Sequence, residues 1–122
     1  MRKILLVEDE DILRETYATL LSTQPYMYDV AENGKVALDK CRENTYDLIL
    51  LDLMMPVMSG VEFLEAFKPI APKETHILIL SNLSSGKDLE RAMQLGADRS
   101  LVKADVSPRE LLVAIRYELE AV

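Results

Sequence analysis

Three acidic side chains, one hydroxyl group and one amine stand at the ends of short apolar runs in this sequence. In chain order these residues are Glu8, Asp9, Asp52, Ser81 and Lys103. A carboxylate at the end of an apolar run must be paired, be hydrogen-bonded or take part in chemistry, because an isolated buried charge is costly. If the runs are neighbouring strands of one sheet, about 4.8 Å apart, their terminal acids share one pocket.

Such a pocket requires positive charge, because like charges at this spacing repel one another by roughly several kcal/mol. Carboxylate oxygens without histidine or thiolate ligands favour Mg²⁺ or a similar divalent ion such as Mn²⁺. Lys103 would add a fixed cation, and Ser81 would add a hydroxyl donor. A nucleophilic carboxylate, a metal, an amine and a hydroxyl group together suit phosphoryl transfer, in which positioning and charge neutralisation do most of the catalysis.

Alternating strands and helices are predicted to position these residues. The apolar runs predict strands at 4–7, 26–31, 48–51, 76–81 and 100–102, and helical spacing of apolar residues predicts helices at 11–23, 35–42, 61–67, 84–97 and 107–121. Strands that are continuously apolar are typical of a parallel sheet covered on both faces. Right-handed crossovers then favour a doubly wound α/β sheet, which binds ligands beyond the carboxyl ends of its strands.

Several helix ends carry their own signals. Side-chain caps are predicted for three helices: Asp9 or Asp11 for the first, Ser84 or Ser85 for the fourth and Ser107 for the last. Pro108 at the first helical position and Glu110 three residues after the cap strengthen the last prediction. Gly96 stands where a helix C-terminus favours a left-handed residue.

Length, composition and charge predict one domain over residues 1–122. Hydrophobic residues make up 49% of the chain and charged residues 29%, which is ordinary for a globular protein and excludes a wholly disordered chain. The net charge of −7 argues against direct binding of nucleic acid by this segment. No apolar run reaches the length of a membrane span or a signal peptide, so we expect a cytoplasmic location without membrane contact.

The single cysteine and the single histidine predict no site of their own. Cys41 has no second cysteine for a disulfide and lies on the apolar side of a predicted helix, so we interpret it as a core residue. His76 precedes an apolar strand and is not placed as a histidine phosphocarrier would be. The donor of any phosphoryl group is therefore expected to be another protein.

Four motifs, each at the end of a separate predicted strand, carry a resemblance to a known family. They are ILLVEDE at 4–10, LLDLMMPVMSG at 50–60, ILSN at 79–82 and GADRSLVK at 96–103. With these motifs in this order, the chain resembles the receiver domain of response regulators in two-component signalling over essentially its whole length. The resemblance implies a flavodoxin-like fold with five parallel strands in the order 2-1-3-4-5 and five helices.

The resemblance also implies roles for individual residues. Asp52 would accept a phosphoryl group from a histidine of a sensor histidine kinase or a histidine phosphotransfer protein. The implied ligands of Mg²⁺ or Mn²⁺ are Asp9, Asp52, the backbone carbonyl of Met54 and, through water, Glu8. Lys103 would pair with the phosphoryl oxygens, and Ser81 and the Asn82 backbone N–H would turn inward to bind them. That movement would switch the surface presented to a downstream effector protein or domain.

Two positions depart from the family pattern. Receivers commonly have Tyr or Phe three residues before the lysine, where this chain has Ser100, so the switch position is degenerate and backbone and helix shifts would transmit the signal. Ala104 follows the lysine where the family often has proline. A cis bond before alanine costs about 3 kcal/mol, so we expect a trans or locally strained peptide there.

Three alternatives remain beside the switch. One is a receiver-like docking or dimerisation module that no longer responds to phosphorylation, as Ser100 and Ala104 would allow. Another is a metal-dependent phosphatase, which the sequence disfavours because Met54 stands where such enzymes usually have a second aspartate. The third is a flavodoxin, which is disfavoured because acidic residues replace the phosphate-binding loop after the first strand.

The charged surface of the fourth and fifth helices is typical of a solvated face. It includes Lys87, Glu90, Arg91, Arg109 and Arg116. The alternative is a partner or dimer surface formed by the fourth helix, the fifth strand and the fifth helix. The sequence leaves open whether the chain is a stand-alone receiver or the N-terminal part of a longer regulator.

Overall fold

The computed structural model describes residues 1–83 and 85–120 as one parallel sheet with helices on both faces. The strands are β1 (Lys3–Val7), β2 (Met27–Ala31), β3 (Leu48–Leu51), β4 (His76–Ser81) and β5 (Arg99–Val102). The helices are α1 (Asp11–Ser22), α2 (Gly34–Glu43), α3 (Gly60–Phe67), α4 (Lys87–Gln94) and α5 (Pro108–Glu120). The strand order β2-β1-β3-β4-β5 confirms the predicted doubly wound, flavodoxin-like fold.

Two cores, one on each face of the sheet, hold the strands in place. Alternate strand residues such as Leu5 and Ile49 pack with α2, α3 and α4, whereas their neighbours Leu6 and Leu50 pack with α1 and α5. Burying one such side chain completely stabilises the fold by roughly 1.5–3 kcal/mol. The central strand β3 is therefore apolar at every position, as the sequence pattern predicts for a sheet covered on both sides.

The register of the central strands decides which residues meet at the carboxyl edge. Val7 of β1 pairs with Leu51 of β3, and the Asp52 backbone N–H donates to the Val7 carbonyl at 3.2 Å. Ser81 of β4 pairs with Val102 of β5. The residues that follow β1 and β3 therefore leave the sheet side by side, and those that follow β5 leave the same edge on the far side of β4.

The cap predicted for α5 is confirmed. The Ser107 hydroxyl accepts from the Glu110 N–H at 3.1 Å, and the Glu110 carboxylate accepts from the Ser107 N–H at 2.9 Å. A second reciprocal pair, between Ser59 and Glu62, starts α3 and was not predicted. Gly96, with φ of 108°, has the left-handed conformation that the sequence predicts after α4.

The caps predicted for α1 and α4 are wrong. Helix α1 begins at Asp11, so its cap position is Glu10, whose side chain makes no capping hydrogen bond. Asp9 lies one residue too early to cap and Asp11 one residue too late. At α4 the cap position is Gly86, with φ of 103°, and not Ser85. Ser84, the alternative, lies outside the described residues.

Element ends otherwise differ from the predictions by one or two residues in most cases. Strand β2 begins at Met27 and β5 at Arg99, and α4 is shorter than the predicted 84–97 because Gly86 precedes it. The predicted end of α5 at residue 121 lies outside the described residues. Every peptide bond in the described chain is trans, which includes the bond before Ala104.

Within the part of the chain that the structure describes, no helix is both long enough and apolar enough to span a membrane.

The loop from β3 to α3 contains a strained residue that offers a test of the fold. Val57 has φ of 69° and is 76% exposed. The left-handed conformation costs an L-residue roughly 1–2 kcal/mol, and asparagine tolerates it better than a β-branched residue does. We expect Val57→Asn to raise the free energy of unfolding by about 1 kcal/mol in urea denaturation.

Val113→Asn is the matched control, because Val113 is also an exposed valine but lies in α5, where valine and asparagine have similar helix propensities. Its free energy of unfolding should change little. An unchanged or lowered urea midpoint for Val57→Asn would contradict the assignment of strain to this residue.

Candidate functional site

A buried lysine joins two buried acids at the carboxyl edge of the sheet. Lys103 Nζ lies 2.8 Å from Asp52 Oδ2 and 2.6 Å from Glu8 Oε1. Glu8 is 1% exposed, and the Lys103 side chain is 8% exposed. A close ion pair that is shielded from water interacts far more strongly than a surface pair. The structure therefore brings the predicted lysine to the predicted acids.

Asp9 completes a group of three acids. Glu8, Asp9 and Asp52 each place one carboxylate oxygen within 4.8 Å of the others. Backbone donors hold two of them: the Met54 N–H donates to Asp52 Oδ1 at 3.3 Å, and the Glu10 N–H donates to Glu8 Oε2 at 3.1 Å. One lysine against three acids leaves an excess of negative charge in the group.

Burial and pairing shift the titration of the central residues. Burial raises the pKa of the Glu8 carboxyl, and the neighbouring Lys103 ammonium opposes that shift only in part. Burial alone would lower the pKa of Lys103, but its contacts with Asp52 and Glu8 outweigh this effect and raise it. Lys103 therefore stays protonated at neutral pH and acts as a permanent positive charge.

The acids have the chemistry of a site for a hard divalent cation. All three side chains offer carboxylate oxygens as metal ligands. Glu8 Oε1 has no well-aligned hydrogen bond, although it contacts Lys103. Lys103 already lies 2.6 Å from this oxygen, but one ammonium group does not balance three carboxylates, and oxygen ligands suit Mg²⁺. The acids open into a cleft of about 180 Å³ that is lined by Asp9, Glu10, Asp52, Met54, Ser81, Asn82, Leu83 and Lys103.

A tight turn after Asp52 shapes one wall of this cleft. Gly60 approaches the chain so closely that a Cβ atom there would lie 2.5 Å from the Asp52 carbonyl oxygen and 2.7 Å from the Leu53 Cα. The Gly60 N–H also donates to the Leu53 carbonyl at 3.0 Å. The loop folds back on β3 and keeps Met54 beside the acids, with its side chain exposed.

The residues at the carboxyl end of β4 and in β5 lie where the switch positions were predicted, but they differ in their exposure. Ser81 is buried at the cleft, and its Oγ accepts from the Leu83 N–H at 3.4 Å. Asn82 is exposed, and its side-chain Oδ1 accepts from the Ala104 N–H at 3.1 Å. Ser100 is exposed on β5 and is not among the residues that line the cleft.

Two contributions to the site were missed by the sequence analysis. Arg14 of α1 donates to the backbone carbonyls of Glu8 at 2.9 Å and Asp9 at 3.3 Å. These hydrogen bonds hold the acidic segment against α1. The Asn82 side chain ties the end of β4 to the residue after Lys103, whereas only its backbone was predicted to act. No local pattern distinguishes Arg14 from a surface arginine of an amphipathic helix.

Comparisons with known proteins place the chain in a family. The family model described as response regulator receiver domain matches residues 4–116. Response regulator ArlR of Staphylococcus saprophyticus is 39% identical over 120 residues, which cover 98% of this chain and 53% of ArlR. The chain spans about half the length, or less, of the curated relatives it matches.

Solved structures extend the likeness to three dimensions. Chemotaxis protein CheY4 of Vibrio cholerae has a TM-score of 0.87 at 32% identity, with 98% of this chain and 99% of that chain covered. The response regulator TrrA of Thermotoga maritima, solved in complex with Mg(2+)-BeF, has a TM-score of 0.84 at 33% identity, with 98% and 100% covered. From its family match, its relatives and its fold, the chain belongs to the response regulator receiver domains, the signalling switches of two-component systems.

Proposed function

We propose that residues 1–122 act as a single receiver domain in which Asp52 accepts a phosphoryl group from a histidine of a sensor histidine kinase or a histidine phosphotransfer protein. The observation that carries the proposal is the contact of Lys103 Nζ with Asp52 Oδ2 at 2.8 Å, inside a group of three acids. A lysine held at the acceptor carboxylate is placed to neutralise the phosphoryl oxygens that arrive there.

In the proposed transfer, one Asp52 oxygen forms a new O–P bond while the N–P bond to the donor imidazole breaks. The imidazole keeps the electron pair of the broken bond and takes up a proton. Lys103 moves its contact from the carboxylate to a phosphoryl oxygen. The Met54 N–H, which donates to Asp52 Oδ1, keeps the carboxylate oriented during the attack. Hydrolysis of the aspartyl phosphate by water would reset the domain.

We assign Mg²⁺, or Mn²⁺, to the acid group as the cofactor of this transfer. Asp9, Asp52 and the Met54 backbone carbonyl would hold the ion, and Glu8 would contact it through water. The bound ion supplies positive charge to the transferring phosphoryl oxygens, which three carboxylates alone would repel. The Mg(2+)-BeF complex of the relative TrrA supports this assignment.

The conformational change on phosphorylation is proposed to involve the carboxyl ends of β4 and β5. Ser81 Oγ and the Asn82 N–H would turn to the phosphoryl oxygens. Because the Asn82 side chain accepts from the Ala104 N–H, a movement of this segment pulls on the residue after Lys103. This contact offers a route to the effector that needs no aromatic ring at Ser100. The non-switching docking module is less well supported, because the residues needed for phosphorylation lie together.

The face formed by α4, β5 and α5 is proposed as the surface for an effector protein or domain, or for a second receiver in a dimer. A groove of about 460 Å³ lies on it, between β5 and α5. Val113 and Tyr117 are exposed along this groove, beside Arg99 and Arg109. Apolar area flanked by charged side chains suits a reversible protein contact.

Replacement of the acceptor carboxylate tests the proposal directly. Asp52→Asn keeps the size of the side chain but removes its nucleophilic charge, so we expect no covalent phosphoryl group after incubation with acetyl phosphate and Mg²⁺. Intact-protein mass spectrometry should show the added mass in the unaltered protein and in Asp39→Asn, which changes an exposed aspartate of α2. A phosphorylated Asp52→Asn protein would overturn the assignment.

Replacement of the central amine tests the charge balance. Lys103→Met keeps a long side chain but leaves Glu8 and Asp52 without their cation, so the free energy of unfolding without metal should fall by about 3 kcal/mol. Saturating Mg²⁺ should then stabilise the variant more than the unaltered protein, because its carboxylates are less neutralised. Urea denaturation with and without MgCl₂ measures both effects.

Lys87→Met, which removes an exposed lysine of α4, is the control and should behave like the unaltered protein. If Lys103→Met matched that control in both stability and response to Mg²⁺, the buried ion pairs would not determine the charge balance of the site.

A further inference from the structure

A second group of potential metal ligands lies at the opposite edge of the sheet. His76 is the first residue of β4, Asp98 immediately precedes β5, and Glu118 lies in the last turns of α5. Because the strands are parallel, these amino ends lie at the edge away from Asp52. None of the three residues takes part in the phosphoryl chemistry proposed above.

The three side chains converge on a small volume. His76 Nδ1 lies 3.8 Å from Asp98 Oδ2 and 3.6 Å from Glu118 Oε2, and one ligand atom of each residue lies within 4.8 Å of the others. Ligands of a tetrahedral Zn²⁺ ion, at bond lengths of about 2.0 Å, stand roughly 3.3 Å apart. The two distances from His76 Nδ1 are therefore within about 0.5 Å of those a bound ion requires.

Glu118 gives independent evidence that a close cation is missing from the cluster of His76, Asp98 and Glu118. Its side chain is only 5% exposed, and its Oε1 has no hydrogen bond in the described part of the chain. The nearest cationic groups, His76 and Arg99, each lie 3.6 Å from one of its oxygens, which is beyond hydrogen-bonding distance. A buried carboxylate without a hydrogen bond to each oxygen is costly, so the position favours a closer cation.

We propose that His76, Asp98 and Glu118 form a binding site for a divalent transition-metal ion of the Zn²⁺ type, with water completing the coordination. One imidazole nitrogen with two carboxylate oxygens suits Zn²⁺, Co²⁺ or Ni²⁺, whereas Mg²⁺ prefers oxygen ligands alone. The ligand types thus separate this site chemically from the acids around Asp52.

Neighbouring groups already orient two of the ligands. The Ile77 N–H donates to Asp98 Oδ2 at 2.7 Å, and the Arg99 guanidinium lies beside Glu118 Oε1. Partners of this kind outside the first coordination shell orient metal ligands and commonly raise affinity. A bound ion would fasten α5 to the amino ends of β4 and β5. It would thereby hold Tyr117, whose ring lies 5.1 Å from the Arg99 guanidinium, in its place along the groove between β5 and α5.

The single histidine of the chain makes the proposal directly testable. ZnCl₂ is titrated into the protein in saturating Mg²⁺, so that the acids around Asp52 are already occupied. The imidazole resonances of His76 are followed by NMR, and the affinity is measured by calorimetry. We expect one equivalent of Zn²⁺ to bind and to shift the His76 ring signals.

Variants separate this site from incidental binding. His76→Gln and Glu118→Gln should each weaken Zn²⁺ binding by about tenfold or more, since each removes a ligand. Both are expected to fold, because His76 is partly exposed and glutamine removes the uncompensated charge of Glu118 without changing its size. Glu120→Gln, an exposed neighbour in α5, and Asp52→Asn should bind Zn²⁺ like the unaltered protein.

Two results would overturn the proposal. If excess Zn²⁺ leaves the His76 signals unmoved, the group is an ion-pair cluster and not a metal site. If Glu118→Gln binds Zn²⁺ as tightly as the unaltered protein, His76 is an incidental surface ligand. Neither result would affect the assignment of Asp52, whose phosphorylation is measured separately.

Discussion

The contact of one buried ammonium group with two buried carboxylates is the constraint on which the candidate site depends. Lys103 lies between Glu8 and Asp52, and each of the three residues is less than a tenth exposed at its side chain. Removing one member of such a group leaves an unpaired charge away from water, which is costly. The charge balance of the pocket therefore couples the ends of β1, β3 and β5.

The sheet and the loops provide the positions that this contact needs. Pairing of Val7 with Leu51 sets Glu8 beside Asp52, and the crossover through α4 returns β5 next to β4 so that Lys103 arrives from the other side. The turn at Gly60 and the left-handed Val57 fold the loop after β3 back toward the pocket. Strained residues of this kind persist only where the surrounding structure holds them.

The two edges of the sheet differ in how their acids are neutralised. At the carboxyl edge a lysine lies within 2.8 Å of two acids, and a third acid lies close to them. At the amino edge the cationic neighbours of Glu118 among the described residues lie 3.6 Å away, although Glu118 is comparably buried. One small domain thus carries two concentrations of negative charge, whose ligand types favour different metals.

The sequence by itself determined the order and type of the elements, the two-sided core and the identity of the residues at the carboxyl edge. Continuous apolar runs, helical spacing and the cap at Ser107 are local signals, and a parallel sheet brings the ends of its strands to one edge whatever the details. Only the tertiary structure decided that Arg14 fastens the acidic segment, that the Asn82 side chain reaches the Ala104 N–H, and that Glu118 meets His76. Each of these contacts joins residues from different strands, helices or loops. The distances between such residues depend on how the helices pack on the sheet. That packing leaves no periodic trace in the sequence, because a side chain that reaches across elements looks locally like any other polar residue of its helix or loop.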